Sequence, residues 1–137
     1  MKGIFVHECR GEYYAHNIVY GGKTIETRTK NTLLPCVGET VAVISTRSGH
    51  APEIVGFVTI TGYSFCPETL FEMYRSETMI PHNSKYNKLG HRNGKPGKWF
   101  YYLENPIPVK PFPLPENAVR HGRSWCEFKL PAHILYL

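Results

Sequence analysis

The chain contains no aspartate; all eleven of its acidic residues are glutamate. A Ser-His-Asp triad is therefore excluded, and no serine lies in the elbow context that a Ser-His-Glu version would need. There is no C-x-x-C pair: Cys9, Cys36, Cys66 and Cys126 are far apart in sequence. With no secretory leader to read at the N-terminus, they are expected to be reduced thiols. The seven histidines show neither an H-E-x-x-H nor a C-x-x-C…H spacing, so no metal site and no cofactor is expected. No apolar run approaches the roughly 18 residues of a membrane span. A cytoplasmic protein without a membrane partner is the expectation.

What is present describes one globular domain. Hydrophobic residues make up 42% and charged residues 20% of 137 positions, enough for a sizeable core. The whole span, 1–137, reads as a single domain. The net charge of +5 favours polyanionic partners without proving them. Short strands are expected at Gly3–Glu8, Lys23 to about Lys30, Val41–Thr46, Ile54–Tyr63, Trp99–Glu104 and Trp125–Leu130. Helices are expected over Gly11–Tyr20 and from Pro67 to about Arg75. Arg47–Glu53 reads as a turn-rich link. Residues 76–98 show little periodicity. Asn105–Pro115, with five prolines, reads as an extended connector poor in hydrogen bonds. Together these elements imply an α+β domain built on a small, partly open β-barrel of mixed strands with two or more flanking helices.

The stretch richest in chemistry is Gly21-Gly22-Lys23-Thr24-Ile25-Glu26-Thr27-Arg28. The glycine pair suits a left-handed helix end. The β-branched residues after it favour an extended run. Alternation then puts Glu26 and Arg28 on one face, with Lys23 free to lean either way. A cation–carboxylate–cation set of this kind suits an anionic ligand. It also suits proton transfer, with Glu26 as base and Lys23 holding developing negative charge. An exposed strand with one ordinary ion pair is the plainer alternative.

Gly21, Lys23, Glu26 and Arg28 form the pattern G-x-K-x-x-E-x-R, which resembles the signature of the ASCH domain family, a branch of the PUA-like superfamily. The flanks agree. A strand and a helix precede the pattern, Val37–Val43 resembles the family's second strand with its Gly-acidic entry, and Ile54–Val58 resembles the third. The resemblance covers residues 1–62 well and 99–137 loosely; 63–98 are not matched. It implies a barrel with a cleft lined by Lys23, Glu26 and Arg28, binding RNA or a nucleotide-like ligand. Some family members are hydrolases that deacetylate acetylated cytidine or cleave RNA. The deacetylating branch has a threonine where this chain has Glu26 and uses a second glutamate. Glu72 and Glu77 are the candidates here, though no motif aligns them.

Two further stretches are candidates for nucleic-acid contact. Lys85–Lys98 carries Lys85, Lys88, Arg92, Lys95 and Lys98 without an acid, with Tyr86 inside it and Trp99 and Tyr101 following. Basic charge with interleaved aromatics matches backbone contact plus base stacking. The alternative is a solvated, flexible loop whose aromatics belong to the core. Arg120 and Arg123 flank His121-Gly122 and would make either a second anion-binding turn or a plain turn before the last strand. A protein-interaction module using the proline-rich connector is the remaining function class.

Overall fold

The computed structural model describes residues 1–137. In chain order the elements are β1 (Lys2–His7), α1 (Tyr14–Val19), β2 (Ile25–Arg28), a 3₁₀ turn at Leu34–Cys36, β3 (Thr40–Arg47) and β4 (His50–Pro67). There follow α2 (Glu68–Met73), α3 (Arg75–Thr78), a second 3₁₀ turn at Lys85–Asn87, β5 (Gly90–Arg92), β6 (Lys95–Pro113), β7 (Val119–His121) and β8 (Trp125–Glu127). The eight strands form one sheet in the order β2-β6-β4-β3-β1-β8-β7, with β5 added to β6. β1 and β3 run parallel and the other pairs antiparallel. No pairing joins β2 to β7, so the sheet is an open α+β sheet and not a closed barrel. No helix is long and apolar enough to cross a membrane, and the four cysteines are free thiols.

Both faces of the central strands are buried. Ile4, Val6, Val41 and Val43 face a core of 20 residues that includes Tyr14, Ala15, Ile18 and Val19 of α1. Phe5, Ala42 and Ile44 point the other way, into a second core of 8 residues with Val109 and Phe128. Alternation with both faces covered explains why these strands read as unbroken apolar runs. β4 and β6 also contribute to both cores, and their ladder shifts register at three places, between Ile54 and Gly56, Phe57 and Thr59, and Ile60 and Gly62. Such bulges bend a strand and increase its twist. Gly56 sits beside the first of these shifts and is closely packed. A Cβ there would lie 2.4 Å from the Ile107 carbonyl and 2.6 Å from Val19 Cγ1.

Several boundaries differ from the sequence reading, each for a local reason. The first helix begins at Tyr14 and not at Gly11, because Cys9 and Glu12 form a backbone bridge around Gly11 at φ +81°. The motif strand begins at Ile25, since the Lys23 N–H donates to the Asn17 carbonyl and the Thr24 N–H to the Glu77 carbonyl. The Arg47–Glu53 link contracts to a turn at Ser48-Gly49, with Arg47 paired to His50. Asn105–Pro113 is part of β6 and pairs with β4. Proline is tolerated there because β2 pairs only with Trp99–Tyr102, and the outer edge beyond it meets only the C-terminal segment, which bridges Val109 to Tyr136, takes the Lys110 N–H at the Leu135 carbonyl and asks of Pro108 only its carbonyl. The unpatterned 76–98 stretch contains a hairpin. Arg92 pairs with Lys95 across Asn93 (φ 52°) and Gly94 (φ 76°), the two positive φ values that a tight primed turn needs. The Lys85–Lys98 segment is thus half strand, not a flexible loop.

Candidate functional site

β6, β4 and β3 separate β2 from β1 in the sheet order. Even so, Arg28 Nη2 donates to the Phe5 carbonyl over 2.7 Å. The sheet therefore curls until its β2 edge faces β1, and a cleft of about 200 Å³ opens between them. β1 contributes Phe5, Val6 and His7, β3 contributes Thr46 and α1 contributes Tyr14. The motif contributes Lys23, Glu26, Thr27 and Arg28; Ile80, Tyr86 and Arg123 complete the walls.

The charged set is tightly engaged. Glu26 Oε2 accepts from Arg28 Nη2 at 2.9 Å, and Oε1 accepts from the Thr27 N–H at 3.1 Å with Lys23 Nζ 3.6 Å away. Lys23 Nζ also donates to the Thr78 carbonyl and stands 5.1 Å from the centre of the Tyr14 ring. Lys23 is 2% exposed and Glu26 6%. Burial by itself would raise the Glu26 pKa, but Arg28 and then Lys23 outweigh it and hold the carboxyl below the usual range. Burial lowers the Lys23 pKa, and Glu26 offsets this only in part. Glu26 is an anion at neutral pH, and its low basicity suits a clamp better than a general base. Tyr14 donates its hydroxyl to Glu12 Oε1 at 2.9 Å, and its ring meets Tyr86 edge-on at 5.6 Å. Two aromatic rings are thereby fixed beside the charged set.

The structure unites some expected site residues and separates others. Lys23, Glu26 and Arg28 share the cleft, as alternation required of the last two. Gly21 lies outside it and takes φ +85° just past the end of α1, the helix-end role its sequence position implied. Arg123 reaches the cleft wall, while Arg120 lies 4.4 Å over the Phe5 ring. Lys85, Lys88, Arg92 and Lys95 are exposed, Lys85 over Tyr86 and Arg92 over Trp99. Lys98 contradicts the expectation of a solvent-facing nucleic-acid contact. It is 3% exposed, donates to the Tyr86 carbonyl at 2.7 Å and lies over Phe71, and burial pushes its pKa down to about 8. Tyr101 is likewise core, with its hydroxyl donating to Asn31 Oδ1. Neither Glu72 nor Glu77 lines the cleft; Glu72 is paired with Arg75.

Sequence reasoning missed Phe5, His7, Tyr14 and Thr46 as cleft residues. A signal existed for two of them. The apolar runs of β1 and β3 both end on polar residues, and parallel pairing sets His7 opposite Thr46.

No family model matches the chain, and no curated protein matches it. Among solved structures it is similar to ASCH from Zymomonas mobilis, with 20% identity and a TM-score of 0.62 over 82% of this chain and 73% of that one. A serine-to-alanine variant of that protein gives 20% identity and a TM-score of 0.60 over 81% and 73%. A tyrosine-to-phenylalanine variant gives 21% and 0.61 over 83% and 77%. The chain has the α+β fold of these ASCH domains.

Proposed function

We propose that the cleft binds a nucleotide unit of single-stranded RNA, making the chain an RNA- or nucleotide-binding ASCH-type module. One observation carries the reading: Lys23, Glu26, Arg28 and Arg123 stand with Tyr14 and Tyr86 in a single small cleft. Three cations against one carboxylate leave a surplus of two positive charges, which suits a phosphate. Tyr86, half-buried at the cleft wall and braced by the buried Tyr14 ring, suits a base. About 200 Å³ is room for a single nucleotide unit and not for a duplex. Lys23 and Arg28 are held in place by Glu26 and by backbone carbonyls. Arg123 makes no ion pair or hydrogen bond within the protein and is the cation left for the ligand. Lys85, Lys88, Arg92 and Lys95 would supply outer phosphate contacts. The same engagement of Glu26 weighs against a hydrolase, since a base with both oxygens occupied and a depressed pKa is poorly placed to take a proton.

Calorimetric titration with a mixed-sequence RNA hexamer tests the reading. Loss of one charged contact costs roughly tenfold in affinity. Arg123→Gln should therefore weaken binding by about that factor, with an unchanged melting temperature. It should also lower the salt slope by roughly 0.7. No binding by the wild-type protein, or equal binding by the variant, would refute it.

A further inference from the structure

His7 belongs to two clefts. On one side it lines the charged site; on the other it lines a wider depression of about 360 Å³ whose walls carry Arg10, Tyr13, Arg47 and His50. His7 Nδ1 lies 3.4 Å from Thr46 Oγ1, and Thr46 lines the first cleft, so the His7–Thr46 pair is the ridge between the two. The second depression is built from separate parts of the chain. Arg10 comes from the turn around the Cys9–Glu12 bridge, Tyr13 from the start of α1, and Arg47 and His50 from the β3–β4 turn.

The charges there are unspent. Arg10 and Arg47 are exposed and make no ion pair or side-chain hydrogen bond. Tyr13 is 53% exposed. The one acid in the depression, Glu8, is 2% exposed, and its carboxylate accepts from Ser45 Oγ and lies 2.9 Å from His16 Nδ1. Its oxygens are engaged by those partners and it presents almost no surface to a ligand. An exposed ring and two free guanidiniums line one depression that shares His7 with a cleft of its own net positive charge, which makes a stepped track and not an isolated pocket.

We infer that the depression lined by Arg10, Tyr13 and Arg47 is a second nucleotide subsite, so the ligand is a strand of at least two nucleotides that crosses the His7–Thr46 ridge. Arg10 and Arg47 hold the phosphate beyond the ridge, and Tyr13 stacks on the second base. The inference rests on the nucleotide-binding reading of the first cleft.

The test compares an equimolar mixture of the four nucleoside 5′-monophosphates with a mixture of 5′-phosphorylated ribodinucleotides, by calorimetry. Base stacking plus a phosphate contact is worth about tenfold or more in affinity, so dinucleotides bind the wild-type protein tighter by about that factor. Arg10→Gln/Arg47→Gln removes most of this advantage while leaving mononucleotide affinity and melting temperature unchanged. Tyr13→Ala removes part of it without changing charge. A wild-type protein that binds mononucleotides but gains nothing from the second nucleotide overturns the second subsite alone, as does an advantage that survives the double variant. Equal weakening of both probes in the double variant also overturns it, because those arginines would then act on the first cleft. Binding of neither probe overturns the first reading and this one with it.

Discussion

Glu26→Gln is the most informative single substitution, because it removes one charge and almost no volume from the centre of the cleft. In the native protein Glu26 stands 3.6 Å from Lys23 and 2.9 Å from Arg28, and all of Lys23 but 2% is buried. Leaving a buried charge without its partner costs about 3–5 kcal/mol. Lys23 keeps the Thr78 carbonyl and the Tyr14 ring, and Arg28 keeps the Phe5 carbonyl. The lower end, about 3 kcal/mol, is therefore expected at pH 7. The pH dependence gives the signature. Glu26's folded pKa lies below its unfolded one, near 4.3. The stability its charge provides is fully present above the unfolded value and is lost as pH falls through the folded value. Wild-type and variant stabilities should therefore converge in acid. The gap should also narrow in alkali, as Lys23, with its pKa lowered by burial, sheds its proton before an exposed lysine would, while the part due to Arg28 remains. Urea unfolding across this range measures the difference. A loss under about 0.5 kcal/mol at pH 7, the scale of an ordinary surface substitution, or a difference independent of pH, would refute the view that Glu26 is the counter-ion of a buried set.

Two further expectations concern the frame around the cleft. Gly56→Ala drives a methyl into the Ile107 carbonyl and Val19, and should cost about 1–3 kcal/mol as overpacking, read as a lower urea midpoint; an unchanged midpoint would show that the β4–β6 bend relaxes freely. Lys98 has a folded pKa of about 8 against an ordinary 10.5, so the unfolded chain binds more protons between those values and the Lys98 contribution rises with pH there; the difference between wild-type and Lys98→Met stability profiles should show that rise, and a flat difference would contradict the burial of a charged amine.

The parts of the site that were legible in the sequence are those fixed by local rules. Glu26 and Arg28 share a face because strand side chains alternate, and Gly21 takes a positive φ because the chain leaves a helix there. The unread parts depend on distant pairing or packing. His7 and Thr46 meet only because β1 and β3 run parallel. Lys98 reads as one more basic loop residue until Phe71 and Tyr86 close over it. The pairing of β4 with the proline-rich half of β6 was hidden because bulges and missing N–H groups break the alternation that marks a strand. Asn93-Gly94 was a different matter. It is a strong local hairpin signal, masked by the charge of the residues around it.

The charged set also bears on the shape of the molecule. The open edge at β2 has no backbone partner on β1, and the contact spanning the gap comes from Arg28 to the Phe5 carbonyl. Arg28 is aimed at that carbonyl by Glu26, which is in turn held by the Thr27 N–H and by Lys23. A buried ion set is seldom a net source of stability, since desolvation offsets the attraction. Apolar residues of the same volume would close the edge as well, but they would fill the cleft and remove its charge. On the proposed reading, the cost of burying Lys23 and Glu26 is met during folding, so the ligand meets a guanidinium already in place and orders little on binding. The arrangement thus favours selection of an anionic group of fitting geometry over strong attraction to anions in general. The less constrained cations, Arg123 at the cleft and Arg10 and Arg47 beyond the ridge, are the ones left to set affinity and its dependence on salt.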